Sequence, residues 1–439
     1  TRDAFLSSGE FAAAAPGPWI SCPGLALADA RGRAAAAGQW NDRQVLGRRW
    51  PIGCVALEIT QRCNLDCDAC YLSENANRVP DLPLAEVFRR IDLIRAHYGP
   101  HTDVQVTGGD PTLRARDELV AIVRRIRDRD MRPALFTNGL RASRDLLEEL
   151  AAAGLVDVAF HVDMTQNRRG YANEAALNAL RLRYVDMVRG LPLSVFFNTT
   201  VFEGNLADVP DIVRFFVRHS HVVRLASFQL QTNVGRSRLG DRPSRLTVDA
   251  VASAIIRGAA APLSFDTANV GHARCNRYAM ALVANGKVHD LLDDPSLYAR
   301  MLERSASVQF DRQRRGRAIR SFLGCVGRHP DLMVRGTGWL LRKGLAMAPD
   351  VAAARGKVNK LSFFIHNFMA PCALERDRID ACVFAVATGS GPISMCLHNA
   401  KRDSFVRAVK PPAAQGAATR SRRTTGKAAG SATVSGPPH

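Results

Sequence analysis

Between residue 53 and about residue 235, short β-branched runs alternate with longer stretches whose apolar residues recur every three or four positions. The short runs, 55–60, 104–107, 132–137, 156–162, 193–200 and 222–229, read as strands, and 84–97, 116–129, 144–153, 174–189 and 209–219 read as the helices between them. Parallel neighbours in a sheet need crossovers of this length, so the pattern predicts an α/β fold with six parallel strands. In parallel barrels the ligand-facing groups gather at the carboxyl ends of the strands. Asn138, Asp163, Asn198 and Gln229 stand at those ends. Polar strand ends also serve as caps and Asx-turns, and His161, alone on an apolar strand, reads as a satisfied core residue.

The first strand runs directly into Arg62-Cys63-Asn64-Leu65-Asp66-Cys67-Asp68-Ala69-Cys70-Tyr71, a CxxxCxxC set. Three thiolates on one loop leave one iron of a four-iron cubane open to an outside ligand, and an open iron implies chemistry rather than electron storage alone. The competing reading is half of a zinc site, but structural zinc takes four ligands and no second CxxC lies in the chain. After the second strand comes Gly108-Gly109-Asp110-Pro111-Thr112, in which residues without a Cβ let backbone approach a ligand.

In spacing and order these motifs resemble those of the radical S-adenosylmethionine (SAM) superfamily, with Asp110 in place of the Glu of a GGE-type motif and Ala69 where many members carry an aromatic residue. The resemblance implies a partial (β/α)6 TIM-like barrel and a catalytic 4Fe-4S cluster on Cys63, Cys67 and Cys70. It implies that SAM is held through Gly108, Gly109 and Asp110, with Asn138, Asp163, Asn198 and Gln229 on its ribose, its carboxylate or the substrate. Reductive cleavage of SAM would give a 5′-deoxyadenosyl radical, which calls for an external one-electron donor of ferredoxin or flavodoxin type.

A second cysteine group lies beyond the barrel: Cys275 in His272-Ala273-Arg274-Cys275, then Cys372, Cys382 and Cys396. It is similar to the cysteines of the class D radical SAM methylases and their tetraether-lipid synthase relatives, without the usual proline. That likeness implies a C-terminal auxiliary 4Fe-4S region. It also implies hydrogen abstraction from an unactivated carbon of a lipid or other apolar substrate, with carbon-carbon bond formation. Methylation of a pterin-like molecule is the alternative within enzymes, and a zinc-stabilised nucleic-acid-binding or scaffold protein is the alternative outside them. Cys22, Cys54 and Cys325 stay unassigned.

The 439 residues suffice for a large core, and ten cysteines are too sparse for a disulfide scaffold, which suits a reducing cytoplasm. Pro16 and Pro18 interrupt the apolar N-terminal run, which does not read as a secretory signal, and the chain opens on Thr1 rather than Met, leaving its true start open. The expected organisation is an extension over 1–52, the barrel over 53–235, the auxiliary-cluster region over 236–400 and a disordered basic tail over 401–439. Of the net charge of +19, residues 300–343 carry +8 and 401–439 carry +7. Ile319, Phe322, Leu323 and Val326 recur at helical spacing beside Arg317, Arg320 and Arg328, a basic amphipathic pattern suited to peripheral contact with an anionic membrane. No aromatic-interleaved basic motif is present, so no specific nucleic acid is expected.

Overall fold

The computed structural model describes residues 25–306, 308 and 315–407. After helix α1 (Ala26–Ala36), six parallel strands follow in sheet order: β1 (Cys54–Thr60), β2 (Asp103–Gly108), β3 (Arg132–Thr137), β4 (Asp157–His161), β5 (Ser194–Val201) and β6 (Val223–Leu230). Helices α2 (Leu84–Tyr98), α3 (Arg116–Asp128), α4 (Arg144–Ala152), α5 (Glu174–Val188) and α6 (Val209–Arg218) make the crossovers. Each predicted strand and helix of this stretch is present, with every end exact or shifted by one residue.

The remainder of the chain enlarges the same sheet. After α7 (Val248–Ala259) come β7 (Asn276–Ala284), β8 (Lys287–Asp290), α8 (Pro295–Arg304), α9 (Arg315–Gly327), α10 (Pro330–Ala353) and β9 (Asn359–His366). Then follow α11 (Arg376–Asp380), β10 (Phe384–Thr388), β11 (Gly391–Ser394), α12 (Met395–Ala400) and α13 (Arg402–Arg407). Strand β9 pairs parallel with β6 and β10 parallel with β1, so the sheet has eight parallel strands flanked by antiparallel β7, β8 and β11. The two flanks curl towards each other: Phe384 of β10 stands 5.8 Å from Phe364 and 4.8 Å from His366 of β9, centroid to centroid. Aromatic packing across that seam, worth roughly 0.5–1.5 kcal/mol per pair beyond area burial, joins the two sides.

Burial alternates along β2, whereas β1 is buried throughout. In β2, Val104 and Val106 are fully buried against the helices, whereas Asp103, Gln105 and Thr107 turn into the barrel. The outer layer is a continuous apolar core; α6 presents Ile212, Val213, Phe216 and Val217 to it and is the most sharply two-faced of the helices. Several inward positions are small, Ala56, Ala134, Ala159, Ser227 and Ser362, beside larger Phe136, Phe196 and Leu225. A closed eight-stranded barrel normally fills its interior with Val, Ile and Leu. Here that space is a cavity of about 1300 Å³.

The expected tail begins too early. Residues 402–407 form α13, and Arg402 is buried in the barrel. Residues 408–439 and 1–24, with the basic tail and the N-terminal apolar run, lie outside the described residues.

Candidate active site

Strand β1 delivers Cys63, Cys67 and Cys70 to one mouth of the cavity, where they pack with Tyr71 and Leu72. Two glycines bring the second strand under this loop. A Cβ on Gly108, at φ +132, would fall 1.9 Å from the Thr60 carbonyl oxygen, and one on Gly109 would fall 2.0 Å from that of Arg62. The glycines therefore admit the cysteine loop itself, closing it against β2 through the Gly109 and Asp110 amides, which donate to Thr60 and Arg62.

The residues expected around SAM divide into two sets. Gly108, Gly109, Asn138, Asn198 and Gln229 line the cavity. Asn138 donates to Asn64 Oδ1 at 2.7 Å and lies 3.9 Å from Cys63 Sγ, tying the third strand to the cysteine loop. Asp110 and Asp163 do not reach the cavity; both are fully buried. Asp110 accepts from the Thr112 amide, the Thr137 hydroxyl and the Asn138 amide at 2.8–3.0 Å, so the shorter Asp carboxylate is spent bracing strand ends. Asp163 accepts from the Thr165 and Thr200 amides and from His161 Nε2 at 2.6 Å. Burial pushes its pKa up, but His161 and these donors outweigh burial and hold it at about 2. The ring that faces the cavity is His161, oriented by Asp163 and by Thr200 Oγ1 at 3.3 Å, so His161 is no core residue.

Sequence reasoning passed over four arginines. Arg236, after β6, donates to Cys70 Sγ at 3.2 Å and to the Leu65 carbonyl, while the Arg238 guanidinium grips Asp66 and Asp68 of the same loop. Arg402 reaches back from α13 to both oxygens of Glu58 at 2.8 Å and stacks on Tyr71 at 4.6 Å; the Tyr71 hydroxyl donates to the Gly108 carbonyl at 2.6 Å. Arg378, on α11, donates to Cys275 Sγ at 3.2 Å. In a chain with 60 Lys and Arg, nothing in the sequence marks these four.

A second thiol group forms from Cys275, Cys382 and Cys396, close enough that Cys382 raises the pKa of Cys275 and both raise that of Cys396. Burial leads in pushing Cys275 up to about 11, partly offset by Arg378. Cys396 lines the same cavity as the Cys63 loop. His272 anchors this group through Asp377 at 3.0 Å. Cys372 is exposed on the loop between β9 and α11, and the three-thiol group forms without it.

Among the described residues no three His, Cys, Asp or Glu side chains close on a single metal ion. Each thiolate of a polynuclear cluster takes its own iron, so such a cluster asks for neighbouring but separate sulfurs and for hydrogen bonds to them. Both thiol groups meet that description, each with one arginine N–H on a sulfur.

Comparison with known proteins agrees with this arrangement over the barrel. Residues 57–216 match the family model of the Radical SAM superfamily. The chain is 26% identical over 186 residues to the 7,8-dihydro-6-hydroxymethylpterin dimethyltransferase of Methanocaldococcus jannaschii, covering 41% of this chain and 36% of that protein. It is 30% identical over 167 residues to a PqqA peptide cyclase of Bradyrhizobium diazoefficiens, covering 37% and 43%. Among solved structures, Streptococcus suis SuiB bound to its precursor peptide SuiA aligns at TM-score 0.38 and 12% identity, over 46% of this chain and 45% of that one. The chain thus spans less than half the length of either curated relative. No helix among the described residues is long and apolar enough to cross a membrane.

Proposed function

We propose that this radical SAM enzyme takes a hydrogen atom from an unactivated carbon of a long apolar substrate, such as a lipid chain, held inside the barrel, as a step towards a carbon-carbon bond. The observation that carries the reading is the hollow interior: about 1300 Å³, with Ala and Ser at inward positions and Phe136, Phe196 and Leu225 among them. Cys63, Cys67 and Cys70 would hold the catalytic cluster, and Cys275, Cys382 and Cys396, with Cys372 as candidate fourth ligand, the auxiliary one. When bound, the cluster and SAM supply a 5′-deoxyadenosyl radical.

The protein's part is positioning and exclusion of solvent. Arg236 places positive charge beside Cys70, Asn138 fixes the loop around Cys63, and Gly108 and Gly109 let the loop close. His161 offers the cavity a polar group held in one orientation by Asp163. The small side chains below leave room for a chain whose reacting carbon lies against the cysteine mouth.

Methylation of a pterin-like ring is the second reading. It is supported by the likeness to the pterin dimethyltransferase and by the aromatic group Phe364, His366 and Phe368, in which His366 stacks on Phe368 at 5.4 Å. The deciding experiment is anaerobic reconstitution with iron and sulfide, reduction by dithionite with SAM, and a substrate bearing a perdeuterated acyl chain. Deuterium in the 5′-deoxyadenosine supports the lipid reading. Unlabelled product with lipid, together with a methylated pterin in a parallel reaction, refutes it.

A further inference from the structure

Helix α10 is amphipathic in the inverted sense. Its ionic and hydrogen-bonding groups face the protein: Trp339 Nε1 donates to Asp293 at 2.8 Å, Lys343 pairs with Asp293 at 2.7 Å, and Asp350 pairs with Lys287 at 2.9 Å and His289 at 3.1 Å. Leu332 and Met347 are buried with them, but four large aliphatic groups face outwards: Val334 is 69% exposed, Leu340 62%, Leu341 63% and Leu345 77%. With Met333 these fall within an arc of about 140° at 100° per residue, along a helix of 24 residues, about 36 Å. Arg335 and Arg342 border the arc on one side, both exposed. Helix α9, which contacts it, adds exposed Ile319 and Leu323 with exposed Arg320 and Arg328.

A cytosol-facing helix would place these groups the other way round, so the face has an occupant. A second copy of the chain is a poor one, because the surrounding segment 300–343 carries +8 and would meet itself. An anionic lipid surface fits both halves of the pattern, with leucines in the acyl boundary and arginines at the headgroups. The start of α9 also stands at the end of the barrel cavity away from the cysteine loop, its second mouth. Val308 and Arg317 line that mouth, where Arg132, Arg224 and Lys360 outnumber Asp103 and Asp157.

We propose that α10 lies flat in the surface of an anionic bilayer and sets this basic mouth against it, so that an apolar chain enters the barrel from the end opposite the cysteine loop. The route of entry rests on the reading of the substrate as apolar, whereas the docking does not.

The test is co-sedimentation of the full chain with vesicles of phosphatidylcholine, alone or with about one-third phosphatidylglycerol. Binding is expected only with the anionic lipid, falling as salt is raised, and ~10-fold or more weaker for Leu341→Glu/Leu345→Glu and for Arg335→Glu/Arg342→Glu. Both variants should keep wild-type 5′-deoxyadenosine formation, since the substituted residues are exposed and lie off the cysteine mouth. Equal binding to neutral vesicles, or binding indifferent to both variants, overturns the docking. A wild-type dimer that Leu341→Glu/Leu345→Glu dissolves overturns it as well, in favour of a second copy. Vesicle binding without deuterium transfer leaves the docking standing and removes the lipid substrate. Turnover of detergent-solubilised lipid without vesicle binding does the reverse.

Discussion

Replacing Arg402 by Met removes the cation from a pair in which Arg402 and Glu58 are 2% and 5% exposed. Glu58 would keep Gln61 as a donor at 2.8 Å but lose both contacts to the guanidinium. Burial alone raises the pKa of Glu58; Arg402 first, then His398 and Gln61, bring it from 4.5 down to about 2. At about 1.4 kcal/mol per pH unit the net drop corresponds to ~3 kcal/mol. That agrees with the ~3–5 kcal/mol typical of removing one partner from a buried pair. Because the folded pKa lies below the unfolded one, this stability is fully present above about pH 4.5 and is lost as pH falls through about 2.

Urea unfolding across pH 3 to 7 measures it. Arg402→Met should lose ~3 kcal/mol at neutral pH, and Glu58→Gln/Arg402→Met should recover most of that loss, because no buried charge is left unpaired. The double variant should also fall less steeply than wild type between pH 5 and 3. Since Arg402 also stacks on Tyr71 beneath the cysteine loop, the single variant should assemble less iron. Equal stability of single and double variants, or identical pH slopes for wild type and double variant, would refute the argument.

Alanine at Cys63, Cys67 or Cys70 should abolish 5′-deoxyadenosine formation and remove about four irons per chain while iron at the second group persists; unchanged SAM cleavage sinks the assignment. Alanine at Cys382 or Cys396 should lower iron by a similar amount with the first cluster's signal intact, and iron content that does not fall rules out the auxiliary cluster. Phe at Ala134 or Ala159 should fill the cavity, leaving SAM cleavage in place but cutting deuterium transfer from the acyl chain ~10-fold or more. An undiminished transfer would mean that the substrate does not run through the barrel. His161→Gln should keep iron content but lower coupled turnover ~10-fold or more, because the oriented polar group facing the cavity is lost, and a wild-type rate would reduce His161 to a structural role.

The sequence yields readily what repeats within a short window. Six strands and five crossover helices follow from the periodicity of residues 53–235, and three cysteines on one loop announce their chemistry without help from the fold. Strands β9 and β10 were not foreseen, because a short apolar run such as Phe384–Thr388 reads as a strand only once β1 offers it an edge. The partition of the strand-end residues was equally hidden. His161 ends β4 and Asp163 lies two positions beyond it, and which of them meets the cavity depends on Thr200, 37 residues beyond Asp163, whose amide claims the carboxylate. Asp110 lost its expected contact for the same reason, since the Asn138 amide and Thr137 hydroxyl come from the neighbouring strand.

The arginines show where such reading ends. Arg236 and Arg378 each set an N–H on a sulfur from a segment 166 and 103 residues away in sequence, and Arg402 crosses 344 residues to reach Glu58. A local pattern cannot carry distances of that kind. It can carry a contradiction: Leu340, Leu341 and Leu345 on a helix bordered by Arg335 and Arg342 already posed the question of which face turns inward. The structure answers it through Asp293, which holds Trp339 and Lys343 of the helix, and through Asp350 of the helix, which pairs with Lys287 and His289; together they leave the leucines outside. Charge reversal at Asp293 is therefore expected to release α10 from the protein, seen as faster amide exchange across 330–353 with the barrel unchanged. Exchange unaltered by Asp293→Lys would mean that packing at Leu332 and Met347, rather than these ion pairs, fixes the helix.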